Sequence, residues 1–345
     1  MVALGVLLTP IIQKQEQTLD QLRGKSFAVD GFIVLHEFLA LIRDRTGRPL
    51  KDDKGNITSH LVGLAFRTTR LMSDYDMKLV FVFDGKPPTL KGKEIETRRK
   101  ARRKAEKEYE EAVERGDMQE AYSKAVMTAK LTHQGLEDAK KLLDLLGIPW
   151  VQAPSEGEAQ AAYMAQKGDV WASNSKDYDS LLFGAPKLVR FLSISGQEWL
   201  PSKGKSRRVL PELIELDKFL GYHGITRLQL IDMGILIGTD FNKGIKGIGP
   251  KTSLKLIKKH GSLEKLPQDI KAKLPDTIDQ IRDLYLNPEV TSKYSVEQGE
   301  LQEDALDEFL CVERNFSTKR VQTLINRMRN KAAQKSLKDY FGGRV

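Results

Sequence analysis

Along its apolar and polar positions the chain alternates short blocks rich in branched and aromatic residues with longer blocks of helical spacing. The short blocks are KSFAVDG (25–31), MKLVFVFDG (77–85), GIPWVQAPSEGE (147–158), GDVWASNSKDYD (168–179) and PKLVRFL (186–192). Apolar runs of this length, closed by small or acidic residues, predict buried strands. Between them, Phe32–Arg43, His60–Met72, Leu136–Leu146 and Glu158–Gln166 place apolar residues at helical intervals. The connections read as strand-helix-strand units, so the expected class is α/β, a mostly parallel central sheet flanked by helices. Ligand sites in such sheets lie beyond the carboxyl ends of the strands, and most of these strand blocks run straight into an acid.

The strand pattern stops at Lys86 and a charged helical insertion follows. Its first part, KGKEIETRRKARRK, is basic, and its continuation, AEKEYEEAVERG, holds most of the acids. That order opposes the helix dipole, which favours acids first. An external anion such as a phosphate backbone would compensate it, and the alternative is a solvated helix with local glutamate–lysine pairs. From Ile225 onward the pattern is mainly helical, with turns around Gly247–Gly249 and Pro267. The expected organisation is a core in two parts, 1–86 and 133–228, a helical insertion at 87–132, a helical region at 229–326 and a flexible tail at 327–345.

Charge sharpens this picture. Lysine and arginine total 56 against 47 acidic residues, a net charge of +9, which favours a polyanionic partner such as nucleic acid. The single cysteine, Cys311, excludes an internal disulfide and a cysteine zinc cluster, fits a reducing compartment and reads as a small core residue. The apolar stretch Val2–Leu8 is too short to span a bilayer and no basic residue precedes it. The expectation is a soluble intracellular protein with no membrane partner.

The acids carry the chemistry. Asp30 and Asp84 follow strand blocks directly. Glu156 and Glu158 follow the third block, Asp177 and Asp179 the fourth, and Asp240 ends an apolar helical run in ILIGTDFN. A single aspartate at such a place is ordinarily a cap. Seven converging carboxylates would raise one another's pKa unless cations neutralise them, so a cluster implies metal. Ligation by oxygen alone favours magnesium or manganese over zinc. Two such ions about 4 Å apart can activate a water and stabilise a leaving oxygen in phosphodiester hydrolysis.

With these residues in view the sequence resembles the flap endonucleases, archaeal members more than eukaryotic ones, over nearly its whole length. FVFDGKPP, VQAPSEGEAQAAY, KDYDSLLFGAP, GTDFN and GIKGIGPK stand in the family's order and spacing. The resemblance implies a PIN-like nuclease core and structure-specific hydrolysis at the base of 5′ flaps in branched DNA, with 5′–3′ exonuclease activity, in lagging-strand replication and repair. It assigns metal binding to Asp30, Asp84, Glu156, Glu158, Asp177, Asp179 and Asp240, with two Mg2+ ions per site and Mn2+ as substitute. It makes the insertion a gateway over the active site, with Lys91 and Arg98 its catalytic basic residues. Their spacing of seven puts them on one helical face. Arg99, Arg102 and Arg103 are assigned to flap phosphates or solvent.

GIKGIGPKTSLKLIKKHG resembles the family's helix-hairpin-helix-type element, which grips duplex DNA and binds K+. Gly247 and Gly249 let backbone amides approach phosphates, Pro250 suits a helix start, and Lys246, Lys251 and Lys255 supply charge. The resemblance places Thr58, in GNITSHLVGLAFR, near a pocket for a short 3′ flap, and adds His36 and Arg43 as DNA contacts. In the tail, Gln334, Leu337, Tyr340 and Phe341 form Q-x-x-L-x-x-Y-F, the pattern by which sliding-clamp (PCNA) partners dock. The protein alone is expected to be a monomer, in the cytoplasm and nucleoid of an archaeon.

Three positions depart from the family pattern. The chain begins Met1-Val2-Ala3-Leu4-Gly5 in place of Met-Gly, His36 replaces a base-stacking tyrosine, and Lys176 replaces glutamine before Asp177. Two other readings compete: a non-catalytic DNA-binding clamp adaptor, and a related repair nuclease acting on bubbles or four-way junctions. Intact acids argue against the first, and the compact gateway and short C-terminal region against the second.

Overall fold

The computed structural model describes the backbone of residues 5–44, 48–117, 120, 131–200 and 205–342; side chains are described for these except 93–95, 98, 102, 113, 197–200, 205–208 and 331–342. Nine strands are described: β1 (Gln15–Glu16), β2 (Ser26–Asp30), β3 (Lys78–Phe83), β4 (Trp150–Gln152), β5 (Ala172–Asn174), β6 (Lys187–Arg190), β7 (Gly196–Leu200), β8 (Lys205–Val209) and β9 (Glu212–Glu215). Seven form one sheet in the order β1-β9-β6-β5-β2-β3-β4, and β7 and β8 form a separate antiparallel pair. The run from β6 to β4 is parallel, and β9 and β1 close one edge antiparallel. All five predicted strands are present, and the mostly parallel α/β class holds. The antiparallel edge and the hairpin are additions.

Strand alternation assigns the two faces. Phe27, Val29, Leu79, Phe81 and Phe83 point into one core beneath the helices Gly31–Leu41 and His133–Leu145. Ala28, Val80 and Val82 face Ala161 and Met164 of the helix Gly157–Lys167, as the period of two requires. Helix starts sit at the carboxyl ends of the strands. Asp30 ends β2 and caps the first helix by accepting from the Ile33 amide at 3.0 Å. A helical run follows at Ser59–Val62, Gly63–Thr68 and Thr69–Asp74, its middle segment π-wound.

The helices Arg227–Ile237, Pro250–His260 and Ile278–Leu286 pack on a second core with Leu181, Leu182 and Phe219. The expected insertion carries a helix, Gly92–Glu114; residues 118–119 and 121–130 of it lie outside the described residues.

The C-terminal end differs from the expected tail. One helix runs Thr318–Gly342, so no break falls at Arg327. Val321, Leu324, Ile325 and Met328 stand at i, i+3, i+4 and i+7 and are buried in the first core. That apolar stripe anchors the helix; three of its residues fall in the region expected to be helical, and only Met328 lies in the expected tail. Cys311, expected in the core, is half-buried at its edge.

Candidate active site

Seven acids gather near the carboxyl ends of β2, β3, β4 and β5. Asp84 follows β3, and its Oδ1 accepts the Gly157 amide at 2.6 Å. A Cβ at Gly157 would lie 2.7 Å from that oxygen, so glycine is needed where the helix start meets the carboxylate. Glu156 is the N-cap of the same helix and Glu158 lies in its first turn, where the helix dipole favours negative charge. Asp177 sits in the turn after β5, its amide donating to Ser175 Oγ at 3.2 Å. Asp179 opens the short helix Asp179–Leu182. Asp240 follows the helix Arg227–Ile237.

Lys91 joins them. Its Nζ stands 2.6 Å from Glu156 Oε2 and 3.1 Å from Asp240 Oδ2, with all three side chains 13% exposed. Burial pulls the ammonium's pKa down, but Glu156 and Asp240 more than offset this and leave it raised. The N-terminal segment adds two backbone donors. The Gly5 amide reaches Asp240 Oδ1 at 3.2 Å and the Val6 amide reaches Asp179 Oδ1 at 2.7 Å. Gly5 has φ +65, and a Cβ there would meet Asp179 Oδ1 at 2.7 Å.

The electrostatics follow from this crowding. Burial, then Asp84, raises the pKa of Asp30. Burial, then Asp179, raises that of Glu158. Asp179 is pushed up to about 8 by burial and then by Asp240, against the opposing pull of the Val6 amide. Burial raises Glu156 too, although Lys91 opposes it. The pocket holds more negative charge than its own donors stabilise, which favours a cation.

Among the described residues no three acid, histidine or cysteine side chains form a ready-made metal cage; Lys91 stands where two of the acids meet. The donor set nevertheless fits a hard divalent ion. It is all carboxylate oxygen, at strand and helix ends, with a lysine ammonium already acting as partial counter-charge. A cavity of about 390 Å3 adjoins Glu156, walled by Pro87, Pro88, Phe183 and Phe241.

The other expected site residues fall in separate places. The Arg98 side chain lies outside the described residues, although its backbone is on the helix Gly92–Glu114. His36 is half-buried on the helix that Asp30 caps. Arg43 donates from Nε to the Ala40 carbonyl at 2.9 Å. Thr58 is only 4% exposed, at the start of the helical segment Ser59–Val62.

Lys246, Gly247 and Lys251 are exposed, and Gly249 caps the helix Pro250–His260 with Pro250 at its first position. Gly247 has φ +88, and nothing within 4 Å would meet a Cβ at either glycine. The turn is therefore open to a backbone approaching from outside. Gln334, Leu337, Tyr340 and Phe341 lie on the C-terminal helix by backbone, and their side chains are outside the described residues. Among the described residues no helix is long and apolar enough to cross a membrane.

Sequence reasoning missed the Gly5 and Val6 amides, Ser175, and Arg190, whose guanidinium contacts the acid-bearing turn. The contacts of Gly5 and Val6 span 235 and 173 positions, and no local pattern encodes them.

The chain matches the XPG N-terminal domain over residues 3–106 and the XPG I-region over residues 147–240. It is 50% identical to flap endonuclease 1 of Hyperthermus butylicus over 331 residues, 95% of this chain and 93% of that protein. It is 46% identical to flap endonuclease 1 of Pyrococcus horikoshii over 346 residues, 98% of each chain. The solved flap endonuclease-1 from Methanococcus jannaschii superposes with a TM-score of 0.76 at 39% identity, covering 96% of this chain and all of that one. Nucleases of this kind are in general dependent on divalent metal ions. The acids, the sheet that presents them and these likenesses agree, and the chain belongs to the flap endonuclease family.

Proposed function

We propose that the acidic pocket is a two-ion nuclease centre that hydrolyses a phosphodiester at the base of a 5′ flap in branched DNA, in replication and repair. The observation that carries this reading is the convergence of Asp30, Asp84, Glu156, Glu158, Asp177, Asp179 and Asp240 around one lysine at the carboxyl ends of parallel strands. The acids would hold two Mg2+, or Mn2+ in its place, which when bound supply an activated water and charge stabilisation at the leaving oxygen.

The chain's own residues do the rest. The helix Gly92–Glu114, in the gateway insertion 87–132, begins directly after Lys91, and its basic residues would meet the flap. Lys91 and Arg98 orient the scissile phosphate and stabilise developing charge. Duplex DNA rests on Lys246, Gly247, Gly249 and Lys251, whose open turn presents amides and ammonium groups to phosphates; a K+ ion bound there would be held by carbonyl oxygens of the turn. His36 and Arg43 contact the strands near the junction, with the buried Thr58 behind a pocket for a short 3′ flap only if that segment opens, and selectivity follows from the ease with which a discontinuous duplex bends. Gln334, Leu337, Tyr340 and Phe341 dock the C-terminal helix on a sliding clamp, in the cytoplasm and nucleoid of the cell.

The test compares labelled 5′-flap, bubble and four-way substrates in Mg2+. Cleavage is expected at the flap base, Asp179→Ala is expected to abolish it while DNA binding persists, and removal of residues 334–345 is expected to affect mainly clamp stimulation. Binding without cleavage by the intact protein would favour the adaptor, and preference for bubbles or four-way junctions would favour the other nuclease class.

A further inference from the structure

We propose that Arg190 is a positioning residue for the metal centre, holding the turn Ser175–Asp179 so that Asp177 and Asp179 face the pocket. Arg190 is the last residue of β6, paired in register with Glu212 of β9. Its guanidinium divides between two tasks. Nε donates to the Lys176 carbonyl at 2.7 Å, and Nη1 donates to the Tyr178 hydroxyl at 2.5 Å. Nη1 also reaches Glu212 Oε2 at 3.0 Å.

The guanidinium lies over the Tyr178 ring, its central carbon 4.1 Å from the ring centre. One planar cation thus grips the peptide oxygen before Asp177 and the side chain before Asp179.

Both charges are shielded, with the Arg190 and Glu212 side chains 11% and 10% exposed. Lys14 pairs with the same glutamate. The Tyr178 hydroxyl lies 3.1 Å from Thr9 Oγ1, three residues beyond the Val6 amide that donates to Asp179. The brace therefore runs from the N-terminal segment through Tyr178 and Arg190 to the antiparallel edge strands.

A guanidinium presents five donors in a fixed fork, whereas a lysine ammonium at the end of a flexible stem cannot reproduce the same angles. Partners that orient metal ligands change metal affinity by about 10–100-fold when removed. A purely structural weld of β6 to β9 would change stability alone. The inference rests on reading the acids as a metal centre, so the experiment separates the two.

Calorimetric titration of Mg2+ into the full-length, DNA-free protein is carried out for the wild type, Arg190→Lys and Glu212→Gln. Thermal unfolding, DNA affinity in Ca2+ and the Mg2+ dependence of flap cleavage accompany it. Arg190→Lys is expected to weaken Mg2+ binding and raise the half-saturating Mg2+ for cleavage about tenfold, with DNA affinity within about twofold of wild type. Glu212→Gln, which leaves the Lys176 and Tyr178 contacts in place, is expected to lower the unfolding temperature and keep the Mg2+ requirement. Equal Mg2+ affinity in wild type and Arg190→Lys overturns the role of Arg190. Absence of Mg2+ binding by the wild type overturns the metal centre and the brace with it.

Discussion

Lys91→Met tests whether the lysine occupies part of the space a metal ion claims. Its ammonium stands 2.6 Å from Glu156 and 3.1 Å from Asp240, and the three side chains are 13% exposed. At an effective dielectric of about 20, two such contacts carry on the order of 10 kcal/mol of attraction, most of it cancelled by desolvation. Removing one partner of a buried pair costs about 3–5 kcal/mol because the remaining charge is left unpaired.

In Lys91→Met that penalty falls on the metal-free protein and is recovered when a cation takes the lysine's place. Recovery of even about 1.4 kcal/mol tightens Mg2+ binding tenfold. Flap cleavage moves the opposite way, falling about 100- to 1,000-fold as a positive charge facing the phosphate is lost. Calorimetry with Mg2+ in the absence of DNA, denaturation in chelator and single-turnover cleavage read the three effects. Unchanged Mg2+ affinity would refute the competition, and wild-type cleavage would refute the catalytic role.

Gly5→Ala places a methyl 2.7 Å from Asp179 Oδ1 in a backbone held at φ +65; the left-handed conformation costs about 1–2 kcal/mol. The carboxylate must also shift, so cleavage is expected to fall at least about tenfold, as for other displaced catalytic groups, and retention of activity within about twofold would contradict this. Arg314→Ala strips the two-point contact to Asp138, at 2.7 and 3.0 Å with side chains 12% and 7% exposed. Urea denaturation should show a loss of about 3–5 kcal/mol, because Asp138 stays buried without its cation. His60 is held neutral, its pKa brought down to about 4 by burial, with the Gly135 carbonyl opposing. A depressed folded pKa makes its contribution complete above the ordinary value near 6.5 and progressively lost as pH falls toward 4, by at most about 3 kcal/mol. Stability against pH for wild type and His60→Asn should diverge between those limits, and parallel curves would contradict the assignment.

How much of this was legible depends on the range of the interactions. Asp30 and Asp84 announced themselves because strand-forming blocks run directly into them, and Asp177 and Asp179 because they stand in the turn that follows another such block; a parallel sheet brings such ends together. Gly247 and Gly249 were legible for a similar reason, since a glycine turn feeding a proline-led helix is a local signal. The edge strand β1 is two residues long, too short for alternation to show. Arg190 looked like one more residue at the end of an apolar run. Its role depends on Tyr178, Glu212 and Thr9, which meet it only through the sheet order. Of the stripe Val321, Leu324, Ile325 and Met328, the first three fall in the region 229–326 that reads as helical, and only Met328 lies in the polar, basic segment 327–345 that reads as a tail.

The most direct test of the central claim is anomalous diffraction from crystals of the intact protein grown with Mn2+. Ions are expected among Asp30, Asp84, Glu158 and Asp179, with Lys91 withdrawn from Glu156 and Asp240. Manganese absent from that pocket, or bound only elsewhere on the surface, would contradict it.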